Sequence, residues 1–182
     1  MHQLLTTGEV AALVGLEERR VRKDVEHGFF GAASPPRFAF AAVVYFRAIA
    51  LLGLQLGTED RRRLYEIIKR ALAASRAPAR VDLGPVTELK LGDIVAELTA
   101  RLKRFGEWKQ RIVTDESILG GEPVFPRSRL SVRHVGTMLL RGAAPKDVRE
   151  DYPYLTNEDL EFAKLFAQAY PRVGRPREAA AR

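Results

Sequence analysis

Residues 5–30 read LTTGEVAALVGLEERRVRKDVEHGFF, a stretch that encodes two short helices joined by a tight turn. Thr6 and Glu9 form a capping box, in which the hydroxyl and the carboxylate satisfy backbone donors left open at a helix start, so a helix begins near Thr7. Val10, Leu13 and Val14 follow at helical spacing. Gly15 supplies the left-handed position that stops the helix without steric cost, and Leu16 leads into the turn. A second helix spans about 17–27, with Val21, Val25 and Phe29 spaced four apart as its inward stripe. Arg19, Arg20, Arg22 and Lys23 are left to face water or phosphate.

In a helix-turn-helix the second helix enters the major groove with its N-terminal residues at the base edges. On that geometry Arg19 and Arg20 are the candidate base readers and Arg22 and Lys23 the candidate backbone contacts, with Thr7 included at the head of the first helix. Glu17 and Glu18 suit the positive end of a helix, and one could accept from a cytosine amino group, yet both could repel phosphate. The competing reading is a plain three-helix core with a solvated charged face. Cap, turn, glycine and basic cluster agree with one another, which favours a DNA reader.

Together with RFAFAAVVYFRAIALL at 37–52, the stretch resembles the start of the MerR-type winged helix-turn-helix family, over about the first third of the chain. The resemblance implies a short wing from Gly31 to Phe38, its tip rigidified by Pro35 and Pro36, with Arg37 placed to touch the DNA backbone.

Composition narrows the compartment and the chemistry. The 182 residues leave room for one large or two small domains. There is no Cys, so disulfides, thiolate metal sites and the Cys-based sensing of some MerR-type regulators are excluded, which fits a reducing, cytoplasmic setting. No charged-then-apolar leader precedes the first helix, and the longest apolar run, 38–54, is interrupted by Arg47. Neither secretion nor a membrane span is expected. The net charge of +7 is unevenly spread: Lys and Arg stand against Asp and Glu 6 to 5 in residues 1–57, 13 to 8 in 58–111 and 11 to 10 in 112–182. A reading head basic on one face only would gain DNA affinity from a second copy, so a homodimer is expected.

The middle of the chain is read as helical with a small β-hairpin. Residues 40–54 are apolar nearly all round and must be buried on more than one side. Thr58 is expected to cap a helix running to about Ala74 with Leu64, Ile67, Ile68, Ala71 and Leu72 inward and Arg61, Arg62, Arg63, Lys69 and Arg70 mainly on a solvated outer face. Alternation and a Gly84-Pro85 turn predict a hairpin over 76–90. A helix over about 93–110 carries Ile94, Val95, Leu98, Leu102, Phe105 and Trp108 on one stripe, with Trp108 expected in the core or at an interface, a subunit contact among the options.

Residues 112–170 carry a Gly120-Gly121-Glu122-Pro123 turn, Arg129 and Val132 leading into a helix, Gly142 ending it, and Asp151-Tyr152-Pro153 with Leu155 before a final helix. These landmarks resemble the small domain called domain of unknown function 433, often found in VapB-like antitoxins. The pattern departs at Arg127-Ser128, where a Gly-Thr type turn is expected. Physically the region reads as a short hairpin and three helices, with Val132, Val135 and Leu139 lining the first, Pro145 opening the second, and Thr156 capping a third that carries Leu160, Ala163, Phe166, Ala167 and Tyr170. Seven Lys and Arg against nine Asp and Glu argue for a protein contact rather than a second DNA contact.

The tail, 171–182, is basic, bears proline and lacks periodicity. Its Gly174-Arg175-Pro176-Arg177 faintly resembles the core of an AT-hook. Antitoxins of the resembled kind neutralise PIN-like ribonucleases whose metal centre is rich in carboxylates. The resemblance therefore implies that Arg172, Arg175 or Arg177 binds the toxin through charge-assisted hydrogen bonds; a terminus with no partner is the alternative. Isolated His2, His27 and His134, with no phosphate loop and no nucleophile elbow, point away from catalysis, metal and cofactor.

The chain is thus expected to be mainly α: a winged helix-turn-helix over 1–57, a helical middle and dimerisation region with a small β-hairpin over 58–111, a short hairpin plus three-helix domain of antitoxin type over 112–170, and a flexible basic tail over 171–182. Its expected role is a dimeric antitoxin that binds operator DNA, represses its own operon and neutralises a PIN-like ribonuclease toxin. The alternatives are a MerR-like regulator without a toxin and a toxin-binding module that no longer reads DNA.

Overall fold

Helices dominate, as the periodicity predicts, in the computed structural model, which describes residues 4–31, 34–53, 55–74, 78–84 and 87–171. In chain order they are α1 (Thr7–Val14), α2 (Glu18–Glu26), α3 (Phe40–Leu52), α4 (Thr58–Ala73), α5 (Leu91–Arg111), α6 (Val132–Leu140), α7 (Pro145–Asp151) and α8 (Asn157–Ala169), with an antiparallel hairpin of β1 (Val81–Gly84) and β2 (Thr87–Leu89) between α4 and α5. Among the described residues no helix is long and apolar enough to cross a membrane.

The chain start is built as its sequence dictates. The Thr6–Glu9 capping box opens α1 with both bonds made, and Gly15 closes it at φ 77°. After α2 the chain returns so that Leu5 and Phe38 exchange both backbone hydrogen bonds, at 3.0 and 2.9 Å. The Ser34–Pro35 peptide in that return is cis. An aromatic cluster fills the space beneath: Phe30 packs against Phe38, Phe46 and Tyr65 with ring centroids 5.4, 5.2 and 4.9 Å away, and Tyr45 lies 5.0 Å from Phe46. Each such pair adds about 0.5–1.5 kcal/mol to the burial itself.

Two expectations for α4 are corrected. Gly57, not Thr58, is the N-cap, and no side chain caps the helix. Arg61 does not join the outer face: it is 4% exposed and points inward, where Asp24 of α2, 1% exposed, receives its guanidinium. A guanidinium enters a core only where a carboxylate waits for it.

In the hairpin, Val81 and Leu83 alternate with exposed neighbours, Val81 opposite Leu89. Fully buried Leu91 then starts α5 two residues earlier than the stripe alone suggests. Of the two readings of Trp108 the core holds: it is 7% exposed and stacks on Phe162 of α8, 4.7 Å between centroids and 12° from parallel. Its partner is in its own chain.

In the last third α8 packs on α6 and on α1. Both crossings are close because one helix offers a glycine: a Cβ on Gly136 would collide with the Ala163 carbonyl, and one on Gly8 with that of Ala169. The short hairpin ahead of α6 amounts to single pairs, Val113 with Val124 and Val124 with Ser131. Thr156 and Asp159 form a second capping box at α8. Arg127 occupies a left-handed position, φ 58°, where glycine costs least. One cluster of buried apolar side chains runs from Leu5 through α3 and α5 to Phe166.

Candidate nucleic-acid interface

The candidate surface is α2 and the elements on either side of it. What sets its position is a buried polar triad. Tyr45 of α3 donates to Asp24 Oδ2 at 2.8 Å, and Arg61 of α4 donates to Asp24 Oδ1. Burial and the Asp24 carboxylate together push the Tyr45 hydroxyl well above the ordinary phenol range, so it stays a donor. Arg62 adds a hold at the same, C-terminal end of the helix, donating at 3.1 Å to the His27 carbonyl while lying 4.9 Å over the Phe29 ring. A cation at a helix C-terminus also meets the negative end of the dipole.

With its inner face fixed, α2 presents its polar face as a ridge between two grooves. One groove is bordered by Arg19, Arg20 and Lys23 together with Ile49, Ala50 and Gly53 at the end of α3. The other is bordered by Thr7, Arg22 and Arg37, and Glu26 borders both. The six DNA-binding residues expected from sequence therefore fall into two sets of three. Arg19, Arg22, Lys23 and Arg37 are exposed, while Arg20 and Thr7 are half-buried.

Four cations on the ridge do not mean four available charges. Arg19 pairs with Glu17, and Arg22 reaches Glu18 at 2.6 Å, one turn back. Among the described residues Arg20 and Lys23 make no ion pair, so they carry the uncompensated charge. Exposed pairs of this kind are worth about 0–1 kcal/mol and open readily when a phosphate competes.

The second groove is completed by the far end of the chain. Ala169, Tyr170 and Pro171 line it beside Thr7 and Pro36. Tyr170 is held there by its hydroxyl, which donates to Glu9 Oε1 at 2.5 Å, and by its carbonyl, which accepts from Arg133 Nη1 at 2.6 Å. Arg133 is aimed by Glu122 of the Gly-Gly-Glu-Pro turn at 2.9 Å, and Glu122 also accepts from Ser131 at 3.1 Å. Lys109 of α5 donates to the same Glu9 oxygen at 2.7 Å. Burial disfavours charge on Glu9, but the bonds from Lys109, the Thr6 amide and Tyr170 outweigh it and hold the carboxyl below its ordinary range.

Sequence reading missed Asp24, Arg61 and the second role of Glu9, since their partners lie 37, 100 and 161 residues away. The position of Asp24, one turn after the inward-facing Val21, was the one available hint. The expected toxin-binding residues Arg172, Arg175 and Arg177 lie outside the described residues.

No curated protein and no solved structure matches the chain. Residues 112–167, from the end of α5 to most of α8, match the family model described as Protein of unknown function (DUF433).

Proposed function

We propose that this chain is a DNA-binding regulator of the antitoxin type, which reads operator DNA through α1, α2 and the return at 34–38 in the manner of a winged helix-turn-helix. The observation that carries the reading is the α2 ridge. It is basic on its outer face and fixed on its inner face by Asp24, Tyr45 and Arg61, so its side chains are presented from a rigid support. Arg20 reads base edges, Arg19 joins it once Glu17 lets go, and Arg22, Lys23, Arg37 and Thr7 meet phosphates. Two copies on a two-fold operator would double a modest electrostatic contribution.

The finer role rests on resemblance: a DUF433 domain joined to such a reader fits an antitoxin that neutralises a PIN-like ribonuclease and represses its own operon. A regulator without a toxin is the second reading. It is favoured by the packing of α8 directly on α1, which gives the C-terminal domain work to do inside the chain itself.

Selection of duplexes by the full chain from a random pool, followed by titration at several salt concentrations, tests the DNA reading. Arg20→Ala should relax sequence preference, and Lys23→Ala should weaken binding to all sequences and lower the salt slope by about 1. A pool that shows no enrichment even at low salt would overturn it. Co-expression with the product of an adjacent open reading frame tests the antitoxin role, through growth rescue and co-elution.

A further inference from the structure

A cleft of about 680 Å³ opens between α5 and α8, beside the end of α1, a volume suited to a small organic molecule. Its α5 side carries Arg101, Arg104, Phe105, Trp108 and Arg111, which share one helix face because they recur three and four residues apart. Phe162 of α8 closes the floor, 5.7 Å from Phe105 and 4.7 Å from Trp108 between ring centroids. The half-buried Leu165 adds an apolar side, and Ala12 and Gly15 of α1 complete the rim.

The charges around this cleft are unevenly matched. Glu97 is taken by Arg47 at 2.8 Å and Glu107 by Lys103 at 3.9 Å, while Arg111 lies 4.3 Å over the Trp108 ring. Among the described residues Arg101 and Arg104 make no hydrogen bond and no ion pair. Arg101 is also half-buried, so a guanidinium with five donors has lost part of its water without gaining a partner. Burial, and after it the neighbouring Arg47 guanidinium, hold its pKa below the ordinary value, the mark of a cation short of counter-charge. We propose that the cleft binds a small aromatic carboxylate, its charged group taken by Arg101 and Arg104 and its ring laid against the floor of Phe105, Trp108 and Phe162. Guanidinium groups grip a carboxylate through paired charge-assisted bonds, and the aromatic floor suits a flat apolar body. Glu158 and Glu161 on the α8 side have no partner of their own among the described residues, so they disfavour a ligand with several negative charges. The inference does not depend on the DNA reading above.

The test uses the full chain, with anthracene carboxylate as the probe and Trp108, the one tryptophan of the sequence, as the reporter. The absorption of the probe overlaps tryptophan emission. Titration should therefore quench Trp108 by energy transfer, saturate at one probe per chain and raise the thermal melt. The uncharged anthracene carboxamide has the same shape and should bind about tenfold more weakly. Arg101→Gln with Arg104→Gln should cost about tenfold in carboxylate affinity and leave carboxamide binding and the melt of the unliganded chain unchanged. Arg104→Gln alone, at an exposed position, repeats the comparison without touching the half-buried site and should cost about threefold. Equal affinity for carboxylate and carboxamide would overturn the inference, as would equal carboxylate affinity in the unaltered chain and both arginine variants. Quenching that does not saturate, or no binding of either probe, would overturn it too. If the probes fail to bind and the arginine variants sediment as a smaller species than the unaltered chain, the cleft is a contact between copies instead.

Discussion

Replacing Arg61 by methionine asks how strongly the α2 ridge depends on a pair it does not display. Asp24 and Arg61 are 1% and 4% exposed, and the guanidinium supplies the charge that makes a carboxylate tolerable at that depth. Without it, Asp24 keeps, among the described residues, only the Tyr45 hydroxyl. An uncompensated buried charge costs about 3–5 kcal/mol. In a chain of this size each kcal/mol shifts the melting temperature by about 2–4 °C, so Arg61→Met should melt roughly 6–20 °C lower, by far-UV circular dichroism. The double variant Asp24→Asn with Arg61→Met separates charge from packing, because asparagine still accepts from Tyr45 and brings no charge. Arg61 Nε has no hydrogen-bond partner among the described residues, so the pair is not perfectly satisfied in any case. The double variant should recover most of the loss and lie within about 1–2 kcal/mol of the unaltered chain. A loss under about 1 kcal/mol for the single variant, or a double variant no better than the single, would refute the assignment of Asp24–Arg61 as a buried, mutually dependent pair.

Other perturbations reach the remaining contacts. The Glu9 carboxyl is held below its ordinary value of 4.5, so its stabilisation is complete above that value and is lost as pH falls through the lower, folded one. Glu9→Gln should therefore be less stable at neutral pH and show a flatter acid limb, and parallel limbs in urea titrations at pH 3 to 7 would count against the Glu9–Lys109–Tyr170 contact. Gly136→Ala must push α6 off the Ala163 carbonyl at a cost of about 1–3 kcal/mol, and an unchanged urea midpoint would mean the crossing is looser than described. Arg127→Gly removes a left-handed non-glycine residue and should raise the melting temperature, by up to about 1 kcal/mol of stability; a lower melting point would mean that the arginine side chain makes up for the strain. Glu17→Gln with Glu18→Gln frees Arg19 and Arg22 from their pairs, so DNA affinity at low salt should rise and the salt slope steepen by about 1–2, whereas weaker binding would give those acids a positive role in base reading.

What could be read from the residues was whatever is decided within a turn or two of chain. The Thr6–Glu9 box, the Gly15 stop and the Val10, Leu13, Val14 stripe are local, and each stands in the fold as its chemistry requires. The stripe on α5 was equally legible, but not what it faces: Trp108 is matched to Phe162, fifty-four positions on, and nothing in spacing distinguishes that from a subunit contact. Charge was the least legible property. Arg61, Arg62 and Arg63 form one run, yet Arg61 is buried on Asp24 and Arg62 holds the end of α2. The four cations of α2 likewise look equivalent as letters, and only placement separates the two tied to neighbouring glutamates from the two without an ion pair. Glu9 was recognised as a cap and is also the point at which α1, α5 and α8 meet, because a carboxylate has two oxygens and a capping box uses one of them.

The contact of Gly8 with Ala169 brings the first and last helices of the chain together, so the order of elements closes into a ring. A short linker from the end of α8 to Leu4 could join these neighbours, and new termini opened between β1 and β2 would leave every described helix whole, a circular permutation that such adjacency tolerates.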